Sequence, residues 1–235
     1  MSRVSTILVV GATQGTGREL AAAYARRGAD VVITGRTRER AAAVARELEA
    51  ETGGAVTGLA LDLTRPATIA TALEPVRHVD RVVLVGMVRD MNSVRDYDVE
   101  AAAVLATTKV VGYTAVVAAL LPRMPADASV LLFGGMAKDL PYPGSTTLTA
   151  VNSAVQGLVR TLSVELAPVR VNSLHPWAIE DSPVCVGNER LTESARKMTL
   201  TRRLATMKDV VDGCVFLLEN PVANAIDLKL NGGMA

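Results

Sequence analysis

The chain is poor in the residues that most often carry site chemistry. Of 235 residues only two are cysteine, two are histidine and one is tryptophan, and aromatics together make up 3%. Cys185 and Cys214 fit neither a disulfide framework nor a metal-ligand spacing, so both read as reduced, buried thiols and no metal site is expected. Charge of one sign is missing too. The 25 basic and 24 acidic residues leave a formal +1, which calls for neither nucleic acid nor a membrane surface as partner. The longest apolar region, Ala101 to Leu121, contains Lys109 and several small or polar residues, so it reads as a buried helix and not a membrane span. A basic, then apolar, then small-residue leader is absent. The expectation is a soluble cytoplasmic protein.

What the chain does have is alternation. Short β-branched runs recur at Thr6–Val10, Asp30–Thr34, Val56–Leu61, Arg81–Val85, Ser129–Phe133, Val169–Leu174 and Ile226–Leu230. Most are continuously apolar, as strands are when helices cover both faces of their sheet. Between them lie stretches rich in Ala, Leu, Arg and Glu; Val151, Val155, Leu158, Leu162 and Leu166 mark one apolar helical stripe. Gly53-Gly54 and Pro122 stand where helices should stop. The pattern predicts one α/β domain over residues 1–235, a doubly wound parallel sheet of about seven strands with right-handed crossovers.

After the first run comes Gly11-Ala-Thr13-Gln14-Gly15-Thr16-Gly17, then the helical Arg18-Glu-Leu. A turn this tight needs glycine, because a Cβ would clash or block a pyrophosphate. The following helix N-terminus offers free N–H groups and a positive dipole end. Strand before and helix after are the context in which such glycines indicate dinucleotide binding. At the end of the second run no acidic residue awaits the ribose hydroxyls of NAD(H). Instead Arg36, 19 residues past Gly17, is followed by Thr37 and Arg38. A guanidinium suits a 2′-phosphate by charge and by its fork of donors, so NADP(H) is preferred over NAD(H). Asp62 and Leu63, after the third run, are placed beside the adenine.

These features, with Leu121-Pro-Arg-Met124, Pro143-Gly144, Arg160-Thr-Leu-Ser-Val-Glu-Leu166, Val171-Asn-Ser-Leu-His-Pro176 and Asn231-Gly-Gly233, resemble the short-chain dehydrogenase/reductase family over essentially the whole chain. The resemblance implies a seven-stranded Rossmann-type sheet, a nicotinamide cofactor, and association as a homodimer or homotetramer through the helices over 98–121 and 148–166. It also implies a catalytic Tyr-x-x-x-Lys pair, an upstream Ser and a helix Asn. Counting from Gly144 and from the Arg160 stretch, the Tyr position falls on Leu148, the Lys position on Asn152, the Ser position near Gly135 and the Asn position on Lys109. No Tyr-x-x-x-Lys occurs anywhere in the chain. The family's Asn-Asn-Ala-Gly is replaced by about Val85-Gly86-Met87-Val88, and its Pro-Gly by Pro176-Trp177.

Leucine cannot transfer a proton and glycine has no hydroxyl, so the usual acid and its helper are absent from these positions. Lys109 and Asn152 nevertheless look exchanged, keeping one ammonium and one amide where the family also has one of each. The expectation is that Lys109 supplies positive charge near the nicotinamide and Asn152 holds its ribose, with Gly86, Pro176 and Trp177 bordering the same half of the cofactor. Tyr142 is a further candidate for proton transfer. Thr146, Thr147 and Thr149 could bind a substrate, and His175 reads as structural. Residues 178–200 are expected to form the substrate lid. Three functions stay open: an atypical NADP(H)-dependent oxidoreductase of a small organic substrate, a catalytically silent NADP(H)-binding sensor or partner subunit, and a lyase, isomerase or cyclase reusing the pocket.

Overall fold

The computed structural model describes residues 4–88 and 90–234. The chain alternates strand and helix from the start: β1 (Thr6–Val10), α1 (Gly15–Ala25), β2 (Asp30–Gly35), α2 (Arg38–Thr52), β3 (Val56–Ala60), the short α3 (Ile69–Ala72), β4 (Arg81–Leu84) and α4 (Val99–Ala106). It continues through α5 (Tyr113–Leu120), β5 (Ser129–Phe133), α6 (Thr146–Glu165), β6 (Arg170–Pro176), α7 (Glu189–Lys197), α8 (Met207–Glu219) and β7 (Asp227–Leu230). Among the described residues seven strands form one parallel sheet in the order β3-β2-β1-β4-β5-β6-β7. The order reverses direction at β1, between β2 and β4, and open α/β sheets bind ligands at the strand C-termini beside such a point.

Both faces are dry. Ile7 and Val9 of β1 pack with Leu20 of α1, Leu48 of α2 and Leu217 of α8 on one side. Leu8 and Val10 pack with Ile69, Tyr113, Leu120 and Val155 on the other. The period-two alternation of a strand thus feeds two helical layers, which is why β1 reads as unbroken apolar sequence.

Several strand ends shift by one residue from the sequence expectation, and two differences are larger. Strand β6 runs on to Pro176, because β7 continues alongside it and pairs Pro176 with Leu230. The helix expected over 98–121 is interrupted by a π-helical segment, Thr107–Gly112, between α4 and α5. Although Val99–Arg123 is long and apolar enough to cross a membrane, it is a core helix whose inner face, with Leu105, Tyr113 and Val117, is buried in the molecule.

At the N-terminal edge of the sheet the charges satisfy one another. Arg81 pairs with Glu219 at 3.1 Å, and the Tyr24 hydroxyl donates to Glu219 at 2.6 Å. The Trp177 indole nitrogen, which has no partner among the described residues, lies in the segment that follows β6, at the opposite edge.

Candidate active site at the strand C-termini

Gly11 has φ +86°, and a Cβ there would stand 2.4 Å from the Cα of Gly86. The turn after β1 and the segment after β4 therefore touch backbone to backbone, which only glycine permits. A Cβ on Gly17 would meet the Gly11 carbonyl oxygen at 2.6 Å, so Gly17 lets α1 start directly beneath the turn. The N-cap of α1 is Gln14, whose side chain makes no capping bond, and the first turn contains no acid. Its N–H groups are thus open to an anion.

Thr13 leans across to the end of β2; its methyl lies 2.6 Å from where a Cβ of Gly35 would be. Arg36, the residue after Gly35, is exposed. Thr37 caps α2 by accepting from the Arg40 N–H at 3.3 Å, and the Arg40 guanidinium donates to the Thr13 carbonyl at 3.3 Å. Arg40 is a residue the sequence reasoning missed, although its place one helical turn past Arg36 was a usable signal. Asp62 accepts from the N–H and hydroxyl of Thr64 at 2.9 and 2.7 Å, fixing the loop in which Leu63 packs against Gly86.

The structure brings Lys109 and Asn152 together. Lys109 sits in the π-helical segment with 1% of its surface exposed. Its ammonium donates to the Phe133 carbonyl at 3.0 Å, the Gly134 carbonyl at 3.4 Å and Asn152 Oδ1 at 3.0 Å. No carboxylate is among its partners in the described residues. Burial without a counter-charge disfavours the ammonium and lowers its pKa from 10.5 to about 7. Asn152 spends its oxygen on Lys109, and its NH₂ faces Gly135, whose Cβ would be 2.9 Å away. A side chain at 135 and the present Asn152 would compete for that space. Tyr113, also missed, donates to the Gly86 carbonyl at 2.9 Å; burial pushes its phenol far up, so it is a pin and not an acid.

His175 is fully buried. Its Nδ1 accepts from the Gly135 N–H at 3.0 Å, and its Nε2 lies 2.5 Å from Asp227 Oδ1 in a close but off-axis contact. Gly134 makes room for the ring, since a Cβ there would fall 2.1 Å from it. Asp227 also takes bonds from Ser173, Gln156 and Lys138. Burial alone would raise its pKa, but the close contact of His175 and the bonds of Ser173 and Lys138 outweigh it and hold the carboxyl well below the usual range. This arrangement ties the loop after β5 to β6 and β7, in keeping with a structural histidine.

The other candidates are dispersed. Tyr142 is 38% exposed and, among the described residues, shares no hydrogen bond with Lys109 or Asn152; only its backbone is bonded, to Ser145. Thr149 donates to the Ala137 carbonyl at 3.1 Å, and Thr147 donates to the Tyr97 hydroxyl at 3.4 Å. Thr146 is exposed and Leu148 is half-buried. Trp177 follows Pro176 with its backbone N–H on the Leu230 carbonyl at 3.1 Å, while its indole Nε1 is buried with no partner among the described residues. The segment over 178–200 is pinned by Glu180 to Arg196 and by Asp181 to the Met207 N–H, and it brings Pro183 to within 3.5 Å of a Cβ built on Gly15.

A family model described as enoyl-(acyl carrier protein) reductase matches residues 11–234. The chain belongs to the short-chain dehydrogenase/reductase family. This is an oxidoreductase family whose members bind a nicotinamide cofactor. Across nearly its full length the chain is similar to the 3-oxoacyl-[acyl-carrier-protein] reductase FabG of Aquifex aeolicus, at 27% identity over 97% of this chain and 96% of the relative. A more local match, 32% identical over 50% of this chain and 47% of the relative, is to the short-chain dehydrogenase/reductase malC of Malbranchea aurantiaca. The fold is shared with the MalC reductase/Diels-Alderase of that organism (TM-score 0.90, 22% identity, 99% and 96% of the chains). It is shared equally with the L-sorbose reductase of Gluconobacter frateurii, solved with NADPH and L-sorbose (TM-score 0.89, 20% identity, 98% and 96%).

Proposed function

We propose that this family member is an atypical NADP(H)-dependent oxidoreductase of a small organic substrate, in which Lys109 and Asn152, at the family's asparagine and lysine positions, supply the charge near the nicotinamide and the hold on its ribose. The observation that carries the reading is the Lys109–Asn152 contact at 3.0 Å, in which the lysine is fully buried and its pKa is lowered to about 7. A group that titrates near neutrality can hold or release a proton at its Nζ under working conditions.

The residues fit the cofactor. The glycine cradle at Gly11, Gly15 and Gly17 cannot take a Cβ without strain, and Thr13, Gln14 and Thr16 complete an uncapped helix N-terminus suited to the pyrophosphate. Arg36, Thr37 and Arg40 are set for a 2′-phosphate, and Asp62 and Leu63 for the adenine. Gly86, the Asn152 amide, Pro176 and the indole N–H of Trp177 would border the nicotinamide half. When bound, the cofactor supplies or accepts a hydride. Lys109 provides the nearby charge and proton, and the segment over 178–200 excludes water. Tyr142, exposed in its loop, keeps only an accessory place as a proton donor. Two buried, unpaired cysteines suit the reducing cytoplasm. The outward Val99, Val104 and Val111 support a homodimer or homotetramer paired through α4 and α5.

Cofactor choice provides the test. Charge-assisted contacts to a phosphate contribute about 1.5–3 kcal/mol, so Arg36→Ala with Arg40→Ala is expected to weaken NADPH binding by roughly 10–100-fold while barely changing NADH binding. Calorimetric titration of both cofactors reads this directly. An equal loss for both, or no loss for either, contradicts the assignment.

A further inference from the structure

The loop after β5 begins with Gly134 and Gly135, a pair with no side chains to anchor it. Its backbone is held instead. The Gly134 N–H donates to the Leu174 carbonyl of β6 at 3.0 Å, continuing the ladder of the sheet. The next peptide group, between Gly134 and Gly135, is gripped at both ends. Its oxygen accepts from the Lys109 ammonium at 3.4 Å, and its N–H donates to His175 Nδ1 at 3.0 Å. Lys109 also donates to the Phe133 carbonyl and to Asn152 Oδ1, each at 3.0 Å. One peptide unit thus links the buried lysine to the buried histidine.

The Gly135 contact fixes the state of the imidazole. A backbone N–H can only donate, so Nδ1 is bare and the proton of the neutral ring sits on Nε2. Nε2 faces Asp227 Oδ1 at 2.5 Å. An imidazolium would aim a second N–H at the Gly135 N–H and expel it. Asp227 is itself oriented by Ser173 at 2.7 Å and by Gln156 at 2.9 Å, and Lys138 matches its charge at 2.9 Å. Lys138 pairs in turn with Asp139, and Asp139 with Lys229. The charges behind the ring are therefore matched among themselves, and the side of the peptide facing away from the ring carries Lys109. The two grips reinforce each other, since a cation at a peptide oxygen makes its N–H a stronger donor.

We propose that His175, aimed by Asp227, is a positioning residue for Lys109: through the Gly134–Gly135 peptide it keeps the two carbonyls closed over the lysine and holds Nζ on Asn152. This deepens the proposed function and rests on it for what Lys109 does. Without the imidazole acceptor a pair of glycines has the freedom to swing outward and admit water to Nζ. Burial is what lowers the pKa of Lys109, so its proton affinity then climbs back toward the ordinary value.

The test is NMR of the free protein. The chain has two histidines, so His175 is identified by its loss in a variant, and the Lys109 signal is the one missing from Lys109→Met. Nitrogen-15 spectra of the wild type at pH 8 are expected to show His175 bare at Nδ1 and protonated at Nε2. Lysine carbon-13 titrations then compare the wild type with His175→Asn and His175→Leu. Asparagine offers an amide oxygen near the place of Nδ1, and leucine offers no acceptor; both variants lose the contact with Asp227. Lys109 is expected to titrate in His175→Asn as in the wild type. In His175→Leu its proton affinity should rise at least about tenfold. A histidine that serves packing alone would leave the Lys109 titration unmoved in both variants or shift it equally in both, and either result overturns the proposal. So does a wild-type His175 protonated at Nδ1 at pH 8, a measurement that stands even if the leucine variant does not fold. A Lys109 that titrates at its ordinary value in the wild type counts against the proposed function instead. The change of its signal in His175→Leu, set against His175→Asn, then still decides whether the imidazole holds the two carbonyls in place.

Discussion

Replacing Lys109 with methionine is expected to remove the pH dependence that this lysine imposes on stability, and with it any turnover of NADPH. In the unfolded chain the amine titrates at its ordinary value of 10.5; in the fold burial brings it to about 7. Below pH 7 both states hold the proton, and the full penalty for a buried, unpaired ammonium is present. Between the two values the unfolded state binds one more proton than the folded state, so wild-type stability rises with pH. Above 10.5 both are neutral and the penalty has gone. The stability difference between wild type and Lys109→Met should therefore grow in favour of wild type by about 1.4 kcal/mol per pH unit over that window. The variant also leaves Asn152 Oδ1 and two carbonyls without their donor, but that loss does not vary with pH and only displaces the curve. Urea unfolding of both proteins at pH 7, 8 and 9 measures the slope. Parallel curves would mean that Lys109 keeps its ordinary proton affinity and has no claim to acid–base work at neutral pH.

The second large effect belongs to Gly11. Gly11→Ala combines a left-handed backbone, φ +86°, with a Cβ placed 2.4 Å from one backbone atom of Gly86 and 2.6 Å from another. Neither segment can yield, since Gly86 is held by the Tyr113 hydroxyl and by its N–H on the Val10 carbonyl at 2.9 Å. A loss of roughly 3 kcal/mol or more is expected, together with loss of cofactor binding as the turn is pushed open. Gly28 supplies the control, because it has φ +78° but nothing within 4 Å of its would-be Cβ. Gly28→Ala should show the conformational term alone, about 1 kcal/mol, with cofactor affinity intact. Equal losses in the two variants would mean that the Gly11–Gly86 contact carries no weight.

Most of the fold was legible because its signals are local. Continuous β-branched runs gave each strand, and the glycines after β1 gave the switch point. Where strands ended differently, as at Pro176, a neighbouring strand extended them, and a neighbour cannot be read from the run itself. The π-helical segment was not legible either, since Thr107–Gly112 has no Pro or Gly pair to announce a change of helical register. In the site, Lys109 and Asn152 could be paired from sequence because each stands at a position fixed by nearby landmarks, and the fold puts them in contact. Tyr113 and Asp227 could not be found in this way. Tyr113 bonds a carbonyl 27 residues away, and Asp227 gathers partners from β6, α6 and the loop after β5. Properties of that kind exist only once the chain has folded.

The central claim, that a live NADP(H) site lies at the strand C-termini, is tested most directly by titrating the protein with NADPH and with NADH while following the fluorescence of Trp177. This is the chain's one tryptophan, and its indole N–H is buried and has no partner among the described residues. Saturable quenching by NADPH, with NADH at least about tenfold weaker, is the expected result. Absence of binding by either cofactor would contradict the account and leave the family's scaffold without the family's cofactor.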